Sequence, residues 1–556
     1  MKNIIKHSAA ALALLLGATG CIEEFDPQSS LVTSDQAANA PGAFDNYVTA
    51  ITSSLTGSFP YSGSSTYPYD FGYPALTIQR DLMGQDMAIC YATGSEWFTS
   101  WYTASTTGLG TSGIGPYLAW LNYYQWIYNC NTVLSLTGEE PEDDKKVGAG
   151  IALTMRALCN LEMACLFGGA TYAADRSALT VPIVTEQSTG AELEANPRAT
   201  NEEMFAFILS DLDKAENYLA GYQRSSKAVP DQSVVYGLKA RAYLVMEDWA
   251  NAEKYAKLAQ QGYTLLNQDE MIDRKTGFNS ANHAWIFCID QLATDPNIIE
   301  NDGDSSWGSQ MIIEVGPSGM GYSANYVGPK RVDRHLYESI PETDVRKQWF
   351  IDFAIDELSG AAKDEALLAY TDAAENIAYE SWAAGPAVGG ASVKFRPANG
   401  EHANQYAAWV VSIPVMRVEE MKLIEAEAAG MQNEAQGIAL LTEFAKTRDA
   451  SYNYGDHSAD AYGNYSTGAF RNEVWWQRRV ELWGEGFATF DIKRLQKGII
   501  RSYAGTNHLE GYRWNTNETP NWMFMVIPSS EASYNSSIVN NPNPVRPEAD
   551  SEEFKW

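Results

Sequence analysis

From Asp231 to Tyr263 the chain repeats a helical spacing twice. Tyr236, Ala240 and Tyr243 share one face, the polar pair Glu247-Asp248 interrupts, and Ala252, Ala256 and Ala259 recur on a second face. Small residues at such a crossing, Ala240 and Ala252 above all, let two antiparallel helices approach closely while the tyrosines fill the space beside them, the packing of a tetratricopeptide repeat. Looser pairs with the same period run from Tyr117 to Leu136 with Lys145 to Phe167, and from Met416 to Gly430 with Glu434 to Arg448. Thr200 with Glu203 three residues on forms a capping box that opens a further helix through Leu219. Trp120, Tyr124 and Tyr128 continue an i, i+4 stripe, which predicts three core rings. The pattern therefore predicts a mainly α protein, in which irregular tetratricopeptide-like helix pairs form a scaffold and strands are few and short.

Two long stretches break the helical period. Phe59 to Pro74 mixes Gly, Ser and Pro with aromatic residues, and Trp307 to Gly328 repeats that mixture after a predicted strand at Trp285 to Ile289. Long irregular segments in compact proteins are commonly binding surfaces. No Pro- or Gly-rich linker separates the helical parts, so residues 21–556 read as one domain.

The first twenty residues read as a leader. Lys2 and Lys6 supply a basic start, Ala9 to Leu16 an apolar run too short to span a bilayer, and Ala18-Thr19-Gly20-Cys21 a small-residue cleavage site ending at a cysteine. This is the pattern of a bacterial lipoprotein signal, with Cys21 as the lipidation site; an ordinary secretory signal with a chance cysteine is the alternative. Acyl chains on Cys21 would hold the protein on a membrane without crossing it.

A formal net charge of −31 leaves no basic face for phosphate backbones, which argues against nucleic acid and against anionic ligands. Neutral ligands fit better. The 16 Trp, 31 Tyr and 19 Phe serve equally as core filler or as stacking platforms for sugar rings, whose axial faces are apolar. The cysteines after Cys21 are Cys90, Cys130, Cys159, Cys165 and Cys288, an odd number without framework spacing, and are expected buried and free.

Catalytic and cofactor motifs are missing from the sequence: no His-Glu-x-x-His, Cys-x-x-Cys, Walker loop or Gly-x-Ser-x-Gly occurs, and the six histidines are scattered. Two carboxylates suffice for glycoside hydrolysis, and Asp81 and Asp86, beside aromatic residues, are the candidate pair. The competing reading has them capping turns or accepting hydrogen bonds from a ligand. Asn301-Asp302-Gly303-Asp304 could hold calcium, but without EF-hand spacing it reads more simply as a solvated turn.

Several blocks then occur in one order. Arg156-Ala157, Leu166-Phe167-Gly168, Val181-Pro182-Ile183-Val184 and Arg198-x-Thr200 lead to Ile208, Asp211-Leu212 and Ala215-Glu216. Ile413-Pro414, Arg417, Glu420 and Ala426-Glu427-Ala428 follow, then Arg478-Arg479-Val480-Glu481-Leu482 through Glu485-Gly486-Phe487 to Phe490-Asp491, and finally Ile527-Pro528, Asn535 and Asn540-Asn541-Pro542. In that order, with Cys21 and the acidic Glu23 and Glu24 at the start, the chain resembles the SusD/RagB family of outer-membrane nutrient-binding lipoproteins. It departs from the family pattern at Ala488 and Thr489 and at Gly169-Ala170.

The resemblance implies a surface-exposed outer-membrane lipoprotein that binds a nutrient, with a glycan the leading expectation, and delivers it to a SusC-like TonB-dependent transporter. It also implies an aromatic arc built by the irregular segments, which points to Tyr67, Tyr69, Tyr73, Trp97, Trp101, Trp307, Tyr322 and Tyr326. Trp97 and Trp101, four apart, could instead pack on one helix face, whereas Trp307 among Gly and Ser is expected to be the best single platform. The charged block Arg478, Arg479, Glu481, Glu485 and Asp491 is expected to pair internally. A lipid-anchored glycoside hydrolase of the same system and a peptide-binding or scaffold lipoprotein are the competing functions.

Overall fold

The computed structural model describes residues 42–57, 69–92, 96–377, 387–459 and 467–556. Cys21, Glu23, Glu24, the leader and Tyr67 lie outside the described residues. The chain divides into two compact units, residues 1–47 and 48–556.

The helices of ten or more residues are α1 (Ala43–Ser53), α2 (Tyr73–Leu82), α3 (Ile114–Thr137), α4 (Lys146–Phe167), α5 (Asn201–Tyr218), α6 (Gln232–Met246), α7 (Trp249–Ala259), α8 (Val418–Gln432), α9 (Glu434–Arg448) and α10 (Ala469–Glu481). From α3 each packs on the next as far as α7, and α7 packs on α8 and α8 on α9, so one array continues across a long excursion of the chain. Local chemistry sets the boundaries. Thr200 and Glu203 form the predicted capping box at α5, Asp231 caps α6, and Glu247 turns the chain at φ +56° before Asp248 caps α7.

Ala240 and Ala252 are fully buried where α6 meets α7, as their spacing predicts. Close approach recurs elsewhere: a Cβ on Gly237 would lie 2.1 Å from Met416 Sδ, and one on Gly437 would lie 2.3 Å from Gly430 Cα. Helix α4 is long and apolar enough to cross a membrane, but nearly all of it is buried inside the protein, as in a core helix.

Two small antiparallel ladders join distant segments. β1 (Met87–Ala88) pairs with β3 (Arg331–Val332), and β2 (Trp285–Asp290) pairs with β4 (Ser412–Arg417) in the register Ile289 opposite Ile413. The excursion between α7 and α8 thus leaves the array through β2 and returns through β4.

The charged block forms a buried network. Arg417 and Arg448 both reach Glu481, at 3.3 and 3.1 Å, and Arg417 and Lys394 both reach Glu485, at 2.8 and 2.6 Å. Burial alone would raise the Glu481 carboxyl, but Arg448, Arg417 and Arg346 outweigh it and hold it at about 2. Arg478 pairs with Asp491 at 2.7 Å. Arg198 ties the end of α4 to the C-terminal segment, donating to Phe167 O at 2.8 Å and to Asn541 Oδ1 at 2.9 Å. These groups are paired with one another and with backbone carbonyls inside the scaffold.

The five described cysteines are free; Cys130, Cys159 and Cys288 are buried as expected, whereas Cys90 and Cys165 are only half-buried.

Candidate functional site

The irregular segments converge on one indole. Trp409 is fully buried, and a Cβ on Gly303, Gly308 or Gly321 would come within 2.8, 2.4 and 2.9 Å of its ring. Gly303 and Gly321 also hold φ of +74° and +95°, which glycine adopts without strain. The glycines that break the helical period here are therefore required by packing, and the segment is a folded layer.

On this layer stands a cluster of rings. Trp97 Nε1 donates to the Tyr322 hydroxyl at 2.6 Å, and Tyr322 and Tyr326 lie 5.4 Å apart at 35°. Tyr69 packs against Trp97 at 5.6 Å and Trp101 at 6.2 Å. Ser309 Oγ accepts the Tyr322 backbone N–H, which fixes the start of the short helix Tyr322–Tyr326. Trp97 and Tyr326 are half-buried, while Tyr322 and Tyr69 keep only their edges near solvent. The structure thus brings Tyr69, Trp97, Tyr322 and Tyr326 together.

Sequence reasoning missed the polar partners of this strip. Asp304 carries an Oδ1 that is buried without a hydrogen-bond partner among the described residues, and burial followed by the neighbouring Asp302 pushes its carboxyl up to about 7. Burial pushes the Tyr322 phenol up to about 12, and Trp97, Asp304 and Tyr326 act on it further. Tyr406, 40% exposed, donates to Asp302 Oδ1 at 3.1 Å. The acidic turn Asn301–Asp304 was the available signal, and its Asn301 and Asp302 take left-handed backbone. Among the described residues no group of three His, Cys, Asp or Glu could hold a metal ion.

Five sequence candidates lie elsewhere. Trp307 is 1% exposed and packs edge-on to Phe395 at 4.7 Å, so it is a core residue; Gly308 beside it makes room for Trp409, and the lack of periodicity had suggested exposure. Trp101 is fully buried beneath Tyr69 and Phe98. Tyr73 opens α2 and donates to Glu162 Oε1 at 2.5 Å, where Arg80 and Tyr123 also converge on Glu162. Asp81 accepts the backbone N–H groups of Gly486 and Ala488, at 3.0 and 3.1 Å, and Asp86 pairs with Arg479 at 2.6 Å. Both aspartates thus have partners in the scaffold. Tyr128, expected in the core, is 65% exposed, because α3 turns the end of its aromatic stripe outward.

Family models match two parts of the chain: one described as "Starch-binding associating with outer membrane" over residues 85–244, and one described as "SusD family" over residues 381–543. The chain belongs to the SusD/RagB family. Solved structures agree on the fold. A SusD-like carbohydrate binding protein from Bacteroides vulgatus matches with a TM-score of 0.67 at 24% identity, covering 89% of this chain and 97% of the other. A laminarin binding SusD-like protein matches with a TM-score of 0.60 at 17% identity, covering 92% of this chain and 100% of the other. Surface glycan-binding protein A from Bacteroides uniformis matches with a TM-score of 0.61 at 16% identity, covering 90% of this chain and 99% of the other. No curated protein matches the chain. In this SusD/RagB member the charged family blocks named above fall in the scaffold, apart from the Trp97–Tyr322–Tyr326 strip.

Proposed function

We propose that this chain is a surface lipoprotein, anchored to the outer membrane through Cys21, that binds a neutral glycan on the Trp97–Tyr322–Tyr326 strip and delivers it to a SusC-like TonB-dependent transporter. The observation that carries the reading is the strip itself. The Trp97–Tyr322 hydrogen bond and the Tyr322–Tyr326 contact hold a cluster of rings in which Trp97 and Tyr326 are half-buried and offer ring surface, and Asp304 beside them carries a buried oxygen without a partner among the described residues. The charge of −31 favours an uncharged ligand, and similar folds include proteins named for binding carbohydrate, laminarin and glycan. The anchor and the transporter rest on the leader sequence and on family membership.

Glycoside hydrolysis is the less favoured reading, since Asp81 and Asp86 are committed to Gly486, Ala488 and Arg479. Calorimetry against a panel of neutral glycans, with product analysis after prolonged incubation, separates the readings. Binding without turnover is expected, with affinity at least tenfold lower in Tyr326→Ala and Trp97→Ala, a loss of about 1.4 kcal/mol or more. Turnover, or binding unchanged in both variants, would overturn it.

A further inference from the structure

A second aromatic groove, sharing no residue with the first strip, runs between α3, the 182–196 segment and the short helix Ser529–Tyr534. Its volume is about 660 Å³, within the range of small-ligand sites. Tyr128 and Tyr534 stand at its edges, 65% and 81% exposed, and neither hydroxyl has a hydrogen-bond partner among the described residues. Deeper in, Trp120 and Tyr124 lie 4.7 Å apart, and the Tyr124 hydroxyl donates to Pro182 O at 2.7 Å, which fixes that ring.

The walls are already clasped. Asn535 Nδ2 donates to Asn196 O at 2.6 Å, Ser536 N to Glu194 O at 2.9 Å, and Asn196 Nδ2 to Ile183 O at 2.8 Å. A site held in this way costs little ordering when a ligand enters. The charged groups lining it are Glu194 and Glu531, both acidic, and no Lys or Arg lines it, so an anionic ligand would be repelled. Exposed tyrosine faces with an amide rim fit a ring that is apolar on one face and hydroxylated at its edge. The groove offers no sheet edge onto which a peptide strand could add.

We infer that this groove is a second sugar-binding site, in which Tyr128 and Tyr534 stack on a short stretch of the same class of neutral glycan proposed for the first strip. The inference rests on that reading of the protein as a glycan binder, but it engages different residues. Two separated platforms on one chain would raise the avidity for a long polymer above that for a short oligomer, because the second contact becomes intramolecular.

The test uses the mature protein labelled with fluorotyrosine and followed by fluorine NMR, with soluble α-glucan, laminarin, xylan and mannan oligosaccharides as probes. Saturable shifts of the Tyr128 and Tyr534 resonances are expected with at least one probe. They should persist in Trp97→Ala and weaken about tenfold in Tyr534→Ala, with an unchanged melting temperature because Tyr534 is so exposed. No saturable shift with any probe would overturn the inference, as would shifts that appear only when a transporter is added, which would make the groove a protein contact. Binding unchanged in Trp97→Ala and Tyr326→Ala at the first strip, with these shifts retained, would refute the strip alone.

Discussion

The guanidinium of Arg479 grips both carboxylate oxygens of Asp86, Nη2 to Oδ1 at 2.6 Å and Nε to Oδ2 at 3.0 Å, across 393 residues of chain. Trp483 Nε1 adds a bond to the Asp86 carbonyl at 2.8 Å. The pair is buried, so it joins the bend between α2 and β1 to the end of α10 where water cannot compete. Replacing Asp86 by Ala leaves a charge-bearing Arg479 without this partner and should cost about 3 to 5 kcal/mol of stability. Asp86→Ala should therefore melt far earlier in chemical denaturation, and a stable Asp86→Ala protein lacking glycan binding would instead return Asp86 to the ligand site.

Trp307 fills a closed space against Phe395. Trp307→Ala removes that ring and is expected to cost about 3 to 5 kcal/mol, seen as a lowered denaturation midpoint. A midpoint unchanged from wild type would contradict its place in the core.

At the proposed glycan site, Asp304 is expected to set a pH dependence. Its folded-state carboxyl lies at about 7, above the ordinary value near 4 of an unfolded aspartate, so its contribution to stability is complete below that lower value and is lost as pH rises through about 7. Binding runs the other way. A sugar hydroxyl that reaches Oδ1, buried in the free protein, favours the ionised form, so affinity should climb as pH rises through about 7, and Asp304→Asn should flatten the profile. Asp302, Tyr322 and Tyr326 face the same group, and a profile that stays sloped in Asp304→Asn would assign the titration to them.

The proposed anchor rests on one residue, Cys21. Cys21→Ala should abolish labelling by a fatty-acid probe and move the protein from the membrane fraction to the soluble one, with its melting curve intact. Persistent labelling of Cys21→Ala would place the lipid elsewhere.

Much of the helical scaffold was legible because its signals are local. Thr200 with Glu203, Asp231, and the alanines of α6 and α7 specify caps and crossings within a few residues of themselves. The ligand strip was legible only in part. Tyr322 and Tyr326 were found among glycines, but Trp307 in the same segment was misplaced, since what buries it is Phe395, far along the chain. Asp81, Asp86 and Tyr73 failed for the same reason: their partners Gly486, Arg479 and Glu162 come from other parts of the sequence. Tyr128 failed in the opposite sense, because the i, i+4 stripe reports a face of α3 and cannot report where that face runs out of neighbours.

The indole of Trp409 sits eight residues before Arg417, and the stretch between them includes β4, clamped along its length to β2. One end of this short rod bears the glycine layer under Tyr322, and the other is bolted into the Glu481 and Glu485 charges. The proposed strip is therefore footed, through Trp409 and β4, on a buried network of charges, which favours rings that keep their spacing without a ligand to hold them.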